Sequence, residues 1–147
     1  MITKGMMTSL TGVWATPQAF FDKLNEEWNF NLDCCALPEN AKCENYFTPE
    51  QDGLKQEWKG TVWMNPPYGR EIGKWVEKAY NEAQKGATVV ALLPARTDTK
   101  WFHEWIYMMN GVDVEFVRGR LKFGEGKNTA PFPSMLVVFK RNLFAKN

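Results

Sequence analysis

Hydrophobic positions along the chain change period several times, and each change marks the boundary of an element. Behind Thr16-Pro17, a capping residue followed by proline, Phe20, Phe21, Leu24 and Trp28 recur at helical spacing and predict a helix over 17–28. Phe30 to Cys34 is short and half apolar, and reads as a buried strand that carries Asp33 near its carboxyl end. Residues 37–58 keep no period and read as loop with one short helical turn. Thr61 to Met64 restores the strand pattern until Asn65-Pro66-Pro67-Tyr68-Gly69, where proline cannot donate to a sheet ladder. Ile72, Trp75, Val76, Ala79, Tyr80 and Ala83 then hold helical spacing for three turns, with Gly86 placed to end them. Ala87 to Leu93 is the continuous apolar run of a strand covered on both faces, and Trp101, Phe102, Trp105, Ile106 and Met109 predict a helix over about 98–109. Asp98 is placed to cap that helix, and His103, opposite its Trp101 and Trp105 face, reads as exposed and noncatalytic. A strand at Val112 to Val117 and a final one at Met135 to Phe139, open to antiparallel pairing with its neighbour after the glycine-rich, basic connection 118–133, complete an α/β pattern. The order predicts one open, mostly parallel sheet with helices on both faces.

Composition narrows the class. With 147 residues, 44% of them apolar, and no repeat or linker, the chain reads as a single domain over 1–147. Its 18 Lys and Arg against 17 Asp and Glu leave a charge of +1, so any basic surface has to be local. No apolar run approaches the ~20 residues of a membrane span, and the N-terminus lacks an extended signal core, which together predict a cytoplasmic protein. The 3 cysteines, Cys34, Cys35 and Cys43, include no Cys-x-x-Cys pair and suggest neither a disulfide framework nor a metal site.

In open α/β sheets ligands bind at the carboxyl ends of the strands, where Asn65-Pro66-Pro67-Tyr68 falls. Two prolines beside a tyrosine can be no more than a rigid turn. The tetrapeptide also offers a chemistry. An amino group conjugated to a purine is a poor nucleophile, and two acceptors on its hydrogens favour the localised lone pair that attacks a methyl group. The Asn65 side-chain oxygen and the Pro66 carbonyl are two such acceptors on a backbone stiffened by Pro67, while Tyr68 offers a flat face to a base swung out of its duplex. The amine becomes cationic only as the methyl transfers, so no prior general base is needed, in keeping with a chain that has 1 histidine.

In this order the segments Trp14-Ala15-Thr16-Pro17-Gln18, Phe30 to Ala36, Asn40 to Cys43, Asp52-Gly53-Leu54 with Trp58, Trp63 to Arg70, Leu93 to Thr99 and Gly119 to Gly124 are distinctive. Together they resemble the phage-type DNA N6-adenine methyltransferases, the small Dam-like family, from about Trp14 to Phe139. The resemblance implies a minimal Rossmann-like domain that transfers a methyl group from S-adenosylmethionine to adenine N6 in double-stranded DNA, with GATC as the associated site. It also implies cofactor contacts from Asp33 to the methionine end, from Asp52 to the adenine, and from the Thr16-Pro17 loop. Each residue has a plainer role open to it: a helix cap for Thr16, a solvated turn for Asp52, a strand end satisfied by backbone donors for Asp33. The usual glycine-rich turn after the first strand is replaced by Asp33-Cys34-Cys35-Ala36, and neither Glu39 nor Glu50 is singled out for the ribose.

DNA contact falls to Arg70, Arg96, Arg118, Arg120, Lys122 and Lys127, which surround the strand-end motifs and can equally be solubilising surface. With no separate target-recognition domain in view, specificity falls to the loops 96–100 and 118–133 or to a second subunit. Asn-Pro-Pro-Tyr also occurs in enzymes that methylate RNA adenine or protein glutamine, and a noncatalytic DNA-binding module is the rival of another class.

Overall fold

The computed structural model describes residues 14–124 and 128–143. Helix α1 spans Gln18–Trp28 and buries Phe21, which packs on the rings of Phe30 and Trp63 at 5.5 and 5.4 Å. It stops at Asn29, which takes a left-handed conformation at φ 54°, while the Asn25 side chain accepts from the Phe30 N–H at 2.8 Å. The chain then enters β1, Leu32–Asp33, shorter than the five residues the pattern suggested. Residues 45–47 take over the neighbouring hydrogen bonds: Asp33 N–H donates to Asn45 O at 3.0 Å and Phe47 N–H to Asp33 O at 3.1 Å. The short turn expected within 37–58 is a 3-10 turn at Gly53–Lys55.

Strand β2, Thr61–Met64, leads through the Asn65 motif to α2, Ile72–Gln84, which buries the predicted Ile72, Trp75, Val76, Ala79 and Ala83 stripe. Strand β3, Thr88–Pro94, is buried from Val89 onward, as its unbroken apolar run requires. Helix α3 covers only Lys100–Trp105 and is capped by Thr99, whose hydroxyl accepts from Phe102 N–H, rather than by Asp98. It ends at Trp105, and three residues further on Met108 takes a left-handed conformation, φ 60°. Strand β4, Val112–Phe116, alternates half-buried valines with exposed Asp113 and Glu115, the pattern of an edge. A hairpin of β5, Lys122–Phe123, and β6, Asn128–Thr129, precedes β7, Ser134–Phe139.

Five strands form one sheet in the order β1-β2-β3-β7-β4. The β1-β2 and β2-β3 pairs are parallel, while β7 lies antiparallel to both β3 and β4, so the mostly parallel expectation holds for strand direction but not for pairing. The reason lies in the connection. The segment between β4 and β7 begins and ends at the edge where β3 and β4 end: Ala95 N–H donates to Pro133 O and Val117 N–H to Ser134 O, both at 2.9 Å. A strand that starts there can only run back. On the helical side, α2 packs on β3, β7 and α3.

Candidate active site

A small cleft of about 110 Å³ opens beside the ends of β1 and β2 and is lined by Thr16, Asp33, Lys42, Trp63, Asn65 and Pro67 among others. Asp33 is only 3% exposed. Its Oδ1 accepts from Cys35 N–H at 3.3 Å and its Oδ2 from Lys42 N–H at 3.0 Å, so the backbone-donor role is real. A carboxylate has lone pairs beyond these two bonds, and the cleft is where they can be used. Burial pushes the Asp33 carboxyl up to about 6 despite the lowering by those two N–H groups and by the charge of Lys42. The fold thus keeps an acid in a place that penalises its charge, a pattern found at functional sites.

Asn65 stands directly after β2. Its amide Nδ2 donates to Trp14 O and, at 2.8 Å, to Thr16 Oγ1. Because a carbonyl can only accept, these partners fix which way the amide points. The opposite atom, Oδ1, is buried and has no hydrogen-bond partner among the described residues. Such an acceptor carries a penalty of ~1–3 kcal/mol unless a ligand satisfies it. Thr16 was expected to cap the first helix; α1 instead opens behind Pro17 with no side-chain cap, because the threonine hydroxyl is turned to Asn65. Pro17 is half-buried and does not line the cleft.

Tyr68 differs most from the expected open platform. It is 6% exposed, its hydroxyl donates to Leu92 O at 2.8 Å, and its ring meets Phe132 and Phe123 edge-on at 5.6 and 6.4 Å. Trp14 joins the same cluster, 5.6 Å from Phe123 and 5.2 Å from Phe132. Of the covering rings, Phe123 belongs to β5 and Phe132 follows β6, and Gly124 N–H, just after β5, donates to Ala15 O at 2.8 Å and ties this region to the Trp14–Thr16 segment. Burial also raises the phenol well above its ordinary value, so Tyr68 stays neutral. Pro66 is buried and Pro67 half-buried, as a stiff turn under the site requires.

Asp52 does not line the cleft. It sits at φ 55° and its carboxylate accepts from Leu54 N–H at 3.1 Å, capping the 3-10 turn. The adjacent Gly53 is what this loop contributes: a Cβ there would come within 2.1 Å of Cys34 O, so only glycine allows the loop to close against β1. Other walls of the cleft, Cys35, Ala36, Leu37, Asn40 and Pro49, had no role assigned from sequence. The Asn40 side chain, which accepts from Leu37 N–H at 2.8 Å, is the one signal there, a loop-closing amide that residue type alone does not reveal.

Arg70, Arg96 and Arg118 follow the carboxyl ends of β2, β3 and β4, which share one edge of the sheet with Asn65, and all three are exposed. Arg120 and Lys122 are exposed as well, Arg120 reaching Ala130 O at 3.4 Å, while the Arg96 guanidinium lies 5.8 Å over the Phe132 ring. Lys127 lies outside the described residues. His103 is exposed, with Nε2 at 2.7 Å from Thr97 O. No helix among the described residues is long and apolar enough to cross a membrane.

A strand-end Asn-Pro-Pro-Tyr beside a cleft that holds a buried carboxylate is the arrangement that the resemblance to amino-group methyltransferases implies. Comparison with known proteins agrees: the family described as DNA N-6-adenine-methyltransferase (Dam) matches residues 5–144. The chain belongs to that family. It is 34% identical over 138 residues to a DNA N-6-adenine-methyltransferase of Haemophilus phage HP1, covering 87% of this chain and 78% of the relative. A DNA N-6-adenine-methyltransferase of Escherichia phage T1 is 33% identical over 131 residues, covering 78% of this chain and 55% of the relative.

Proposed function

We propose that this chain transfers the methyl group of S-adenosylmethionine to N6 of an adenine in double-stranded DNA, the base being swung out of the duplex. One observation carries the reading: a buried Asn65 Oδ1 without a partner, oriented by two fixed acceptors on its amide nitrogen, beside a cleft that holds a buried carboxylate. The donor set fits the cofactor. Asp33 has acceptor capacity left for the ammonium of the methionine end, and the apolar walls Trp63, Ala36 and Leu37 suit its less polar parts. Bound S-adenosylmethionine supplies an electrophilic methyl carbon.

The residues of the chain supply position and polarity. Asn65 Oδ1 and the Pro66 carbonyl accept the two N6 hydrogens, which draws the lone pair out of conjugation and aims it. Pro66 and Pro67 keep that pair of acceptors rigid, the preorganisation that makes such groups effective. After attack the amine is strongly acidic, so its proton passes to water without a dedicated base. Tyr68 contributes a neutral ring, which meets the base once Phe123 and Phe132 draw aside; stacking of this kind is worth ~1–3 kcal/mol per base.

The exposed Arg70, Arg96, Arg118, Arg120 and Lys122 are read as phosphate contacts, and Lys127 is included in that reading on its sequence alone. GATC remains the target that kinship favours. The fold is read as Rossmann-like with helices on both faces, supported by Phe21 of α1 meeting Trp63 while α2 packs on β3 and β7. The chain's place of action is the cytoplasm, where DNA and cofactor meet.

Purified protein incubated with unmethylated duplex DNA and labelled S-adenosylmethionine, followed by nucleoside analysis, tests the reading. The expected product is N6-methyldeoxyadenosine, reduced on the order of a hundredfold or more in Asn65→Ala. Label appearing only in RNA or protein acceptors, or an Asn65→Ala rate equal to wild type, overturns it.

A further inference from the structure

Thr16 is 5% exposed and, unlike a helix cap, spends its hydroxyl on the Asn65 amide at 2.8 Å. Trp14 O occupies the other side of the same nitrogen. Nothing else among the described residues holds the head of the Asn65 side chain, since Oδ1 has no partner. An asparagine side chain turns readily about its last torsion, and a half-turn would exchange acceptor for donor at the point where Oδ1 now lies. An NH2 group there repels an amine instead of accepting from it.

We propose that Thr16 is a positioning residue: with the Trp14 carbonyl it clamps the Asn65 amide in the one orientation that leaves Oδ1 as acceptor. The clamp also sets the residue type at 65. An aspartate there would turn a carboxylate oxygen against the Trp14 carbonyl, where two acceptors meet without a proton, so this chain needs the amide even though a carboxylate is the stronger acceptor. The proposal rests on the reading that Oδ1 accepts from the substrate amine, but the clamp itself can be observed without turnover.

The test uses Thr16→Val, which keeps the shape and removes the hydroxyl, and Thr16→Ser, which keeps the hydroxyl. In the free full-length protein the Asn65 side-chain amide pair is located by nuclear magnetic resonance as the signals lost in Asn65→Ala. Their hydrogen exchange is expected to quicken on the order of tenfold in Thr16→Val and to stay near wild type in Thr16→Ser. In the methyl-transfer assay Thr16→Val should lower kcat on the order of 10- to 100-fold, a cost typical of a misplaced reacting group, with KM and Kd for S-adenosylmethionine within about threefold. Thr16→Ser should recover most of kcat, and Asn65→Asp should behave like Asn65→Ala. Should the valine variant fail to fold, Thr16→Ala gives the same readings.

Unchanged exchange and kcat in Thr16→Val would overturn the clamp. So would a raised Kd for S-adenosylmethionine with kcat intact, which would make Thr16 a cofactor contact, and so would near wild-type activity of Asn65→Asp. A wild-type protein that leaves DNA adenine unmethylated removes the proposed reaction instead, and the exchange measurement then still decides whether Thr16 orients the amide.

Discussion

Asp33→Asn removes a charge that the fold holds at a cost, and the size of that cost follows from the structure. Burial is the largest influence on the Asp33 carboxyl and lifts it from 3.8 to about 6, over the opposing backbone N–H groups of Lys42 and Cys35 and the Lys42 charge. Between those two values the native state binds more protons than the unfolded chain, so stability falls as pH rises through the window and the whole cost is present above about pH 6. A rise from 3.8 to about 6 corresponds to roughly 3 kcal/mol. Asparagine does not titrate; it turns an NH2 toward one of the two N–H donors, a loss of about 1 kcal/mol that is the same at every pH. Urea unfolding of both proteins near pH 4 and near pH 7.5 should therefore show the difference between them moving by roughly 2–2.5 kcal/mol in favour of the variant as pH rises, part of the cost being present already at pH 4. A difference constant to within about 0.5 kcal/mol, or one that moves toward the wild type, refutes the argument. Under the proposed function the cofactor ammonium relieves the same cost, so S-adenosylmethionine should raise the Tm of the wild type and leave that of Asp33→Asn nearly unmoved.

Because Tyr68 is buried, its aromatic role is better read from Tyr68→Phe than from Tyr68→Ala. The first should keep most methyl transfer and lose about 1 kcal/mol of stability with the bond to Leu92 O, whereas the second should lose about 3–5 kcal/mol, as chemical denaturation will show. Glu82 is 1% exposed, accepts from Trp58 N–H at 2.6 Å and lies 3.1 and 3.5 Å from the ammonium groups of Lys85 and Lys78. Burial alone would raise this carboxyl, but the Trp58 N–H and the two lysines bring it below its usual range; Glu82→Ala should cost about 3 kcal/mol in urea unfolding by leaving that N–H unpaired. Replacing Arg96 or Arg118 by alanine should weaken binding to duplex DNA of any sequence and lower the slope of log K against log salt by about one per residue, and an unchanged slope would remove that residue from the interface.

Much of this was legible in the chain itself. The period of Ile72, Trp75, Val76, Ala79 and Ala83 gave α2 almost to the residue, and the apolar run before Pro94 gave the central strand, because both patterns arise from burial that repeats locally. The two prolines after Asn65 marked the turn at the strand end, since proline stops a ladder whatever surrounds it. The shorter α3, the two-residue β1 and the capping by Thr99 in place of Asp98 were not legible, because element ends are set by competing local hydrogen bonds.

What the sequence by itself determined was the list of elements and the strand-end motif: backbone sterics and side-chain period act over a few residues and need no partner. What only the tertiary structure decided was how distant groups meet. Trp14 and Thr16 reach Asn65 across about 50 positions, Lys42 N–H reaches back to Asp33, and Phe123 and Phe132 close over Tyr68. The antiparallel direction of β7 was open from the sequence, but its place between β3 and β4 was decided only there. These contacts depend on which surfaces the folded sheet brings together, and a buried polar atom is known to lack a partner only when every neighbour is in place.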